Sequence, residues 1–130
     1  MTPPPEAASP VLVVDDDEAV RTGVLWLLRA AGYEAEGYAS GAALLAGADP
    51  AGAHCAVLDI HLDDADGFAL GTSLRRSAPQ LQLIFITGDA DPSLDGRARG
   101  AGALALMRKP VDPECLLALI DSIPQRGAPR

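Results

Sequence analysis

The chain has 130 residues, of which 48% are hydrophobic and 22% charged, and its formal net charge at pH 7 is -8. This length fits one domain that buries its own core without metal or disulfide cross-links. The acidic balance argues against a role in nucleic-acid binding, which needs clustered Lys and Arg side chains against phosphates.

The ends of the chain and its two cysteines carry no sign of export or of metal binding. The N-terminus lacks the basic and apolar regions of a secretion signal, and no apolar run approaches the ~20 residues that span a membrane. We therefore expect a cytoplasmic protein without membrane contact. Cys55 and Cys115 lie in apolar runs without CxxC spacing, which predicts two small buried hydrophobic residues. Composition predicts loose tails at residues 1–9 and 124–130, around a domain at residues 10–123.

Five short runs of strand-like residues alternate with helical patterns along this domain. The predicted strands cover residues 11–14, 34–38, 55–59, 83–87 and 103–107. The runs at 11–14 and 83–87 are apolar almost throughout, which is typical of strands covered on both faces. The run at 34–38 is more polar and suits the edge of a sheet.

Apolar residues at helical spacing predict a helix after each strand. The predicted helices run from about Val20 to Ala31, from the cap Ser40 to about Gly47, over residues 67–77, from about Ser93 to Gly100, and from Pro113 onward. Asp17 and Asp112 are expected to cap the first and last helices. Trp26 lies off the apolar stripe of the first helix and is expected to be partly exposed, while His54 is expected at the surface or its boundary. Five strand–helix units in this order predict a parallel sheet with helices on both faces.

Polar residues follow four of the five strands at the point where each strand ends. These residues are Asp15 and Asp16 after the first strand, Asp59 at the end of the third, Thr87 at the end of the fourth, and Lys109 after the fifth. The carboxyl ends of parallel strands meet at one edge of a sheet, where open α/β folds bind ligands. One pocket is therefore predicted to hold three carboxylates, a hydroxyl and the only lysine of the sequence.

Four segments in this order resemble the receiver domain of bacterial two-component response regulators. They are Val13-Val14-Asp15-Asp16-Asp17, Leu58-Asp59 with Asp66-Gly67, Ile86-Thr87-Gly88, and Gly102-Ala103 through Lys109-Pro110. The resemblance covers essentially the whole domain. It implies a CheY-like, flavodoxin-like α/β fold: a single doubly wound five-stranded parallel sheet in the order 2-1-3-4-5, with five helices.

The resemblance also implies a role for each polar residue at this edge. Asp59 is expected to be the phosphoryl acceptor. The expected ligands of Mg²⁺, or of Mn²⁺ in its place, are Asp15, Asp16, Asp59 and the main-chain carbonyl of His61. Thr87 and Lys109 are expected to bind the phosphoryl oxygens and to act in the switch that follows phosphorylation.

Three further positions bear on what happens after phosphorylation. His61 and Asp89 correspond to family positions that flank the phosphate and influence how long the acyl phosphate survives. Leu106 stands where many receivers place an aromatic residue that rotates inward as the threonine moves to the phosphate. Because a leucine cannot report the switch in that way, we expect output through a rearranged fourth helix or through a different surface.

The implied function is that of a stand-alone signalling domain rather than an enzyme, although the domain promotes its own aspartyl phosphorylation and dephosphorylation. Its phosphoryl group is expected to come from a histidine kinase or a histidine phosphotransfer protein. The phosphorylated form is expected to switch, or compete for, contacts with an unidentified protein target. A homodimer through the face of the fourth helix, fifth strand and fifth helix is a further expectation.

Several alternatives stay open at this point. The chain could serve as a phosphate sink that drains a shared kinase, or be a receiver cut from a DNA-binding regulator. It could also be a receiver-shaped interaction module that works without phosphorylation. A Mg²⁺-dependent phosphohydrolase with Asp59 as nucleophile is disfavoured, because dehalogenase-like phosphatases usually carry Asp-x-Asp there and this chain has Asp59-Ile60-His61.

Overall fold

The computed structural model describes residues 9–124, in which five strands alternate with five α-helices. The tails predicted at 1–9 and 124–130 lie outside these residues except for Ser9 and Pro124, so the domain boundaries stay a prediction. Between residues 9 and 124, no helix combines the length and the apolarity that crossing a bilayer requires.

A five-stranded parallel sheet forms the centre of the fold, with its strands in the spatial order β2-β1-β3-β4-β5. The strands are β1 (Val11–Val14), β2 (Ala35–Tyr38), β3 (Cys55–Asp59), β4 (Gln82–Thr87) and β5 (Ala105–Arg108). Every residue of β1 and β3 is buried, as inner strands with both faces covered require. The predicted fold and strand order are confirmed, and the polar β2 lies at one edge.

Each strand is followed by a helix. The helices are α1 (Glu18–Ala30), α2 (Gly41–Gly47), α3 (Gly67–Ser77), α4 (Ser93–Gly100) and α5 (Pro113–Asp121), and a short 3-10 turn (Pro50–Gly52) precedes β3. Four of the α-helices begin at a side chain that accepts a hydrogen bond from the first turn; these caps are Asp17, Ser40, Asp66 and Asp112. The exception is α4, where Pro92 stands at the cap position without a side-chain bond.

Alternate residues of the inner strands feed two separate cores, one on each face of the sheet. In β1, Leu12 and Val14 join one core together with Phe85, whereas Val11 and Val13 join the other. The sheet is therefore covered on both faces, and the loops that lead into the helices lie at its carboxyl edge.

Two expectations about single residues are wrong. His54 is only 1% exposed, because its ring packs against Tyr33 and its Nε2 lies 3.1 Å from the carbonyl oxygen of Ile120. This contact joins residues far apart in the chain, so a local pattern does not reveal it. Cys115 is exposed rather than buried, because its neighbour Leu116 takes the inward-facing position on α5.

Other expectations about single residues agree with the structure. Trp26 is 74% exposed on the outer side of α1. Cys55 is buried, and this burial raises the pKa of its thiol to about 12.

The fifth strand begins two residues later than the pattern indicated, although the Leu104 N–H already donates to the carbonyl of Leu83 across the sheet.

Gly67 opens α3 at a point where two backbone segments nearly touch. A Cβ at this position would lie 2.3 Å from the carbonyl oxygen of Asp59 and 2.5 Å from the Cα of Ile60. Both atoms belong to the backbone and cannot rotate away. The absence of a side chain at Gly67 therefore lets the loop after β3 fold back directly onto the strand that carries Asp59.

We expect Gly67→Ala to lower the free energy of unfolding by about 3 kcal/mol, because the added methyl group must displace backbone. Gly96→Ala, in the middle of α4 with nothing within 4 Å of its Cβ, is the matched control. We expect it to raise the free energy of unfolding by about 1 kcal/mol through helix propensity. Urea unfolding followed by circular dichroism measures both changes; equal effects of the two substitutions would contradict the close approach at Gly67.

Candidate functional site

The predicted site residues meet at the carboxyl edge of the sheet. The parallel register sets Val14 beside Leu58, so that Asp15 and Asp59 come at the ends of adjacent strands. The next strand, β4, ends at Thr87. Asp15, Asp59 and Thr87 are buried, although each carries a polar side chain. A buried polar group is costly unless it is paired, which marks this edge as a specialised site.

Three carboxylates form the centre of the site. One oxygen from each of Asp15, Asp16 and Asp59 lies within 4.8 Å of the other two. Two like charges at about 4 Å repel by about 4 kcal/mol at an effective dielectric near 20. Oδ2 of Asp15 is buried, and its one charged contact is the Lys109 ammonium at 3.0 Å. Three carboxylates that share a single ammonium fit a hard cation such as Mg²⁺, which takes oxygen ligands.

Backbone N–H groups hold each of these carboxylates in place. Oδ1 of Asp15 accepts from the N–H of Asp17 at 2.9 Å, and Oδ1 of Asp59 accepts from the N–H of His61 at 3.0 Å. Oδ2 of Asp16 accepts from the N–H of Asp63 at 2.9 Å, across the gap between the loops that follow β1 and β3. The carboxylates are therefore oriented by the fold, and the two loops are tied together.

Lys109 supplies the positive charge of the site. Its Nζ lies 3.0 Å from Oδ2 of Asp59, with hydrogen-bond geometry, and 3.0 Å from Oδ2 of Asp15, as an ion pair. The backbone N–H of Lys109 donates to the carbonyl of Thr87 at 2.7 Å. Lys109 and Thr87 are thereby fixed to each other at the ends of adjacent strands.

The pKa values of the buried pair follow from these contacts. Burial raises the pKa of Asp15, against the lowering effect of the Asp17 N–H and of Lys109. Burial also acts to lower the pKa of Lys109, but the hydrogen bonds and charges of Asp15 and Asp59 outweigh it and hold that pKa above its usual value. Lys109 is therefore protonated at neutral pH.

A second layer of polar contacts lies at the mouth of the site. The N–H of Asp89 donates to Oγ1 of Thr87 at 3.0 Å, and Oδ2 of Asp89 lies 3.3 Å from Nε2 of His61. The side chains of His61 and Asp89 are 60% and 43% exposed. The two residues expected to tune the site thus contact each other and bridge the loops that follow β3 and β4. Leu106 is half-buried against the core that contains Phe85.

Sequence reasoning missed two residues that shape these loops. Asp64 accepts hydrogen bonds at 3.0 Å from the N–H groups of both Gly41 and Ala42, and so caps α2 from a distant part of the chain. These bonds lower the pKa of Asp64. Arg108, at the end of β5, makes two hydrogen bonds to the segment between β4 and α4 and two to Asp95 in the first turn of α4. The sequence signal for Arg108 was indirect: the parallel register of β4 and β5 sets it opposite Thr87, next to the acidic residues that follow β4.

Comparison with known proteins agrees with this geometry. The family model described as "Response regulator receiver domain" matches residues 11–121. The transcriptional regulatory protein FixJ of Azorhizobium caulinodans is 31% identical over 119 residues, a match that covers 92% of this chain and 56% of FixJ. The chain spans about half the length of the curated relatives it matches.

Solved structures of the same kind overlay well. A CheY-like response regulator receiver domain protein from Methanospirillum hungatei has a TM-score of 0.78 and 32% identity, covering 88% of this chain and 91% of that one. A response regulator from Burkholderia pseudomallei, whose structure holds a phosphorylated aspartic acid, a calcium ion and citrate, has a TM-score of 0.77 and 26% identity, covering 88% and 67%. The chain therefore belongs to the response regulator receiver domain family of two-component signalling proteins.

Proposed function

We propose that this chain accepts a phosphoryl group on Asp59 from a phosphohistidine of a histidine kinase or a histidine phosphotransfer protein, in a Mg²⁺-dependent reaction. The observation that carries the proposal is the setting of the Asp59 carboxylate, which is buried between two further carboxylates and 3.0 Å from the Lys109 ammonium. The phosphorylated aspartic acid in the Burkholderia pseudomallei response regulator supports the same chemistry in a relative.

The acidic cluster fits the metal that this chemistry needs. Mg²⁺ would be held by Asp15, Asp16 and Asp59 together with the main-chain carbonyl of His61, and Mn²⁺ suits the same oxygen ligands. When bound, the cation supplies positive charge that offsets the carboxylates and the oxygens of the incoming phosphoryl group.

The transfer itself is a displacement at phosphorus. A carboxylate oxygen of Asp59 attacks the phosphorus of the phosphohistidine, and an O–P bond forms while the N–P bond breaks, its electron pair leaving with the imidazole. Lys109 Nζ and Thr87 Oγ1 would donate to the phosphoryl oxygens, where charge is spread during the transfer. Each donor is already fixed at the end of its strand.

Phosphorylation would then act as a switch through these same donors. Moving a two-state equilibrium from 1:99 to 99:1 needs about 5.5 kcal/mol of preference for the active state. Charge-assisted hydrogen bonds from Thr87 and Lys109 are strong enough to supply much of it. With Leu106 in place of an aromatic residue, we propose that the loop between β4 and α4 carries the response, because Asp89 in that loop contacts Thr87 directly. We further propose that His61 and Asp89 set the lifetime of the acyl phosphate.

The protein context of the domain is also a proposal. FixJ is named as a transcriptional regulatory protein, and this chain matches about half of its length. The same acceptor would serve three roles: a switch on an unidentified protein target, a phosphate sink, and the receiver part of a longer regulator. A homodimer through the face formed by α4, β5 and α5 would suit the switch and the longer regulator. The cytoplasmic location expected from the sequence stays a prediction.

Incubation with acetyl phosphate and Mg²⁺ is expected to add one phosphoryl group to the chain, measured by intact-mass analysis. The adduct should be absent with EDTA and absent from Asp59→Asn, because both the cation and the carboxylate oxygen are needed. Asp49→Asn, at an exposed position before the 3-10 turn, is the matched control and should be phosphorylated like the wild type. A folded wild-type protein that forms no adduct would contradict the proposal and favour the phosphate-independent interaction module.

Asp15→Asn is expected to increase stability in EDTA and to abolish stabilisation by Mg²⁺. Because burial raises the pKa of Asp15, the folded state holds that proton more tightly than the unfolded chain, and stability falls as pH rises through the folded pKa. An asparagine removes this cost at neutral pH. Mg²⁺ at one hundred times its Kd should stabilise the wild type by about 2.7 kcal/mol and leave the variant unchanged. Thermal unfolding in EDTA and in Mg²⁺ measures both effects; a variant still stabilised by Mg²⁺ would contradict the assigned ligand.

Lys109→Ala is expected to accept some phosphate but to lose the response that follows, since no ammonium then links the phosphoryl group to β5. Hydrogen–deuterium exchange of residues 88–92, compared with and without phosphorylation, measures the response. Arg99→Ala removes an equal charge from α4 and should respond like the wild type. An unchanged response in Lys109→Ala would show that Lys109 has no part in the switch.

A further inference from the structure

Arg108 makes the densest set of side-chain contacts near the site. It is the last residue of β5 and directly precedes Lys109. Its Nη1 donates to both carboxylate oxygens of Asp95 at 3.0 and 3.1 Å. Its Nη2 donates to the carbonyl of Asp91 at 2.8 Å, and its Nε donates to the carbonyl of Asp89 at 3.3 Å. One guanidinium therefore joins β5 to two points of the β4–α4 loop and to the first turn of α4.

The loop held by Arg108 is the one that reaches the phosphoryl site. Within it, the N–H of Asp91 donates to Oδ1 of Asp89, and the N–H of Ser93 donates to Oδ1 of Asp91, both at 2.9 Å. Through Asp89 the loop bonds Oγ1 of Thr87 and contacts His61. A continuous chain of hydrogen bonds thus runs from Arg108 through Asp89 to Thr87 and His61.

An ordinary surface ion pair does not account for this arrangement. An isolated exposed pair adds little to stability, and Asp95 alone would satisfy such a pair. The two remaining bonds go to backbone carbonyls of the loop, which fix its path. The cap position of α4 is Pro92, which makes no side-chain bond, and the other hydrogen bonds of the loop to α4 are local ones between neighbouring residues. Arg108 is the residue that joins the loop to β5.

We propose that Arg108 is a positioning residue that clamps the β4–α4 loop and so keeps the Asp89–His61 pair across the mouth of the site, which lengthens the life of the phosphorylated state. This inference rests on the proposed function, since it concerns the acyl phosphate on Asp59. In the reaction that it slows, water attacks phosphorus and the bond between phosphorus and the Asp59 oxygen breaks. The electron pair returns to the carboxylate, and the protons of the water pass to inorganic phosphate and solvent.

The test compares the decay of the phosphorylated protein after acetyl phosphate is removed, followed by intact mass in Mg²⁺. We expect Arg108→Ala to take up phosphate on Asp59 and to lose it about fivefold faster than the wild type, the lower end of typical couplings between sites. Arg108→Lys should decay as fast as Arg108→Ala, because an ammonium cannot donate to three separated acceptors as the planar fork does. Arg99→Ala, the charge control, should decay like the wild type.

A double substitution separates positioning from a general loss of structure. If Arg108 acts through Asp89, Arg108→Ala should add no further acceleration in an Asp89→Ala background, whereas general loosening would add to it. If Arg108→Ala fails to fold by circular dichroism, Asp95→Ala supplies the test. It removes both side-chain oxygens that accept from Nη1 of Arg108, and faster decay is expected.

Three outcomes would overturn the inference while leaving the proposed function intact. They are an Arg108→Ala lifetime equal to or longer than that of the wild type, full retention of the lifetime by Arg108→Lys, and additive effects in the double variant. Absence of any adduct on the wild-type chain would instead overturn the proposed function, and this inference with it.

Discussion

Three carboxylates that repel one another lie at the end of a buried sheet, and one ammonium stands among them. Asp15 and Asp59 each lie 3.0 Å from Nζ of Lys109. A single positive charge does not balance three negative ones, so the site carries an excess of negative charge that a divalent cation would relieve. The fold holds this arrangement because backbone N–H groups of the loops after β1 and β3 donate to the carboxylates. The surrounding cores are apolar and packed on both faces of the sheet, so they resist relaxation of the site.

How far the sequence predicts this molecule depends on how local each feature is. The strand β3 and the helix α3 have the predicted boundaries, because both are marked by local sequence signals. A continuous apolar run marks the strand, while Asp66 before the helix and Pro79 after it mark the ends of α3. The cluster of Asp15, Asp16 and Asp59 was also predictable, since parallel strands bring their carboxyl ends together. The burial of His54 was not predictable, because it depends on a contact with Ile120 in the distant helix α5.

The loops account for most of what the sequence does not reveal about the site. Asp64 caps a helix more than twenty positions earlier in the chain, and Arg108 binds a loop that precedes it. Such contacts form between loops that are distant in the sequence, so no periodic pattern of residues predicts them. The residue types are still informative, because a guanidinium can donate forked hydrogen bonds to neighbouring carboxylates. In the structure, hydrogen bonds through Asp89 and Arg108 join Thr87 to the first turn of α4.

The solvent-exposed indole of Trp26 has a practical consequence for spectroscopy. Trp26 is the only tryptophan of the chain, and water surrounds it in the folded state much as it would in the unfolded state. Its fluorescence is therefore a poor reporter of loss of the cores. The same exposure makes it a sensitive reporter of any molecule that covers the outer side of α1, because such contact would move the emission to shorter wavelength. Tryptophan fluorescence of this protein thus reports binding at the outer side of α1 rather than unfolding.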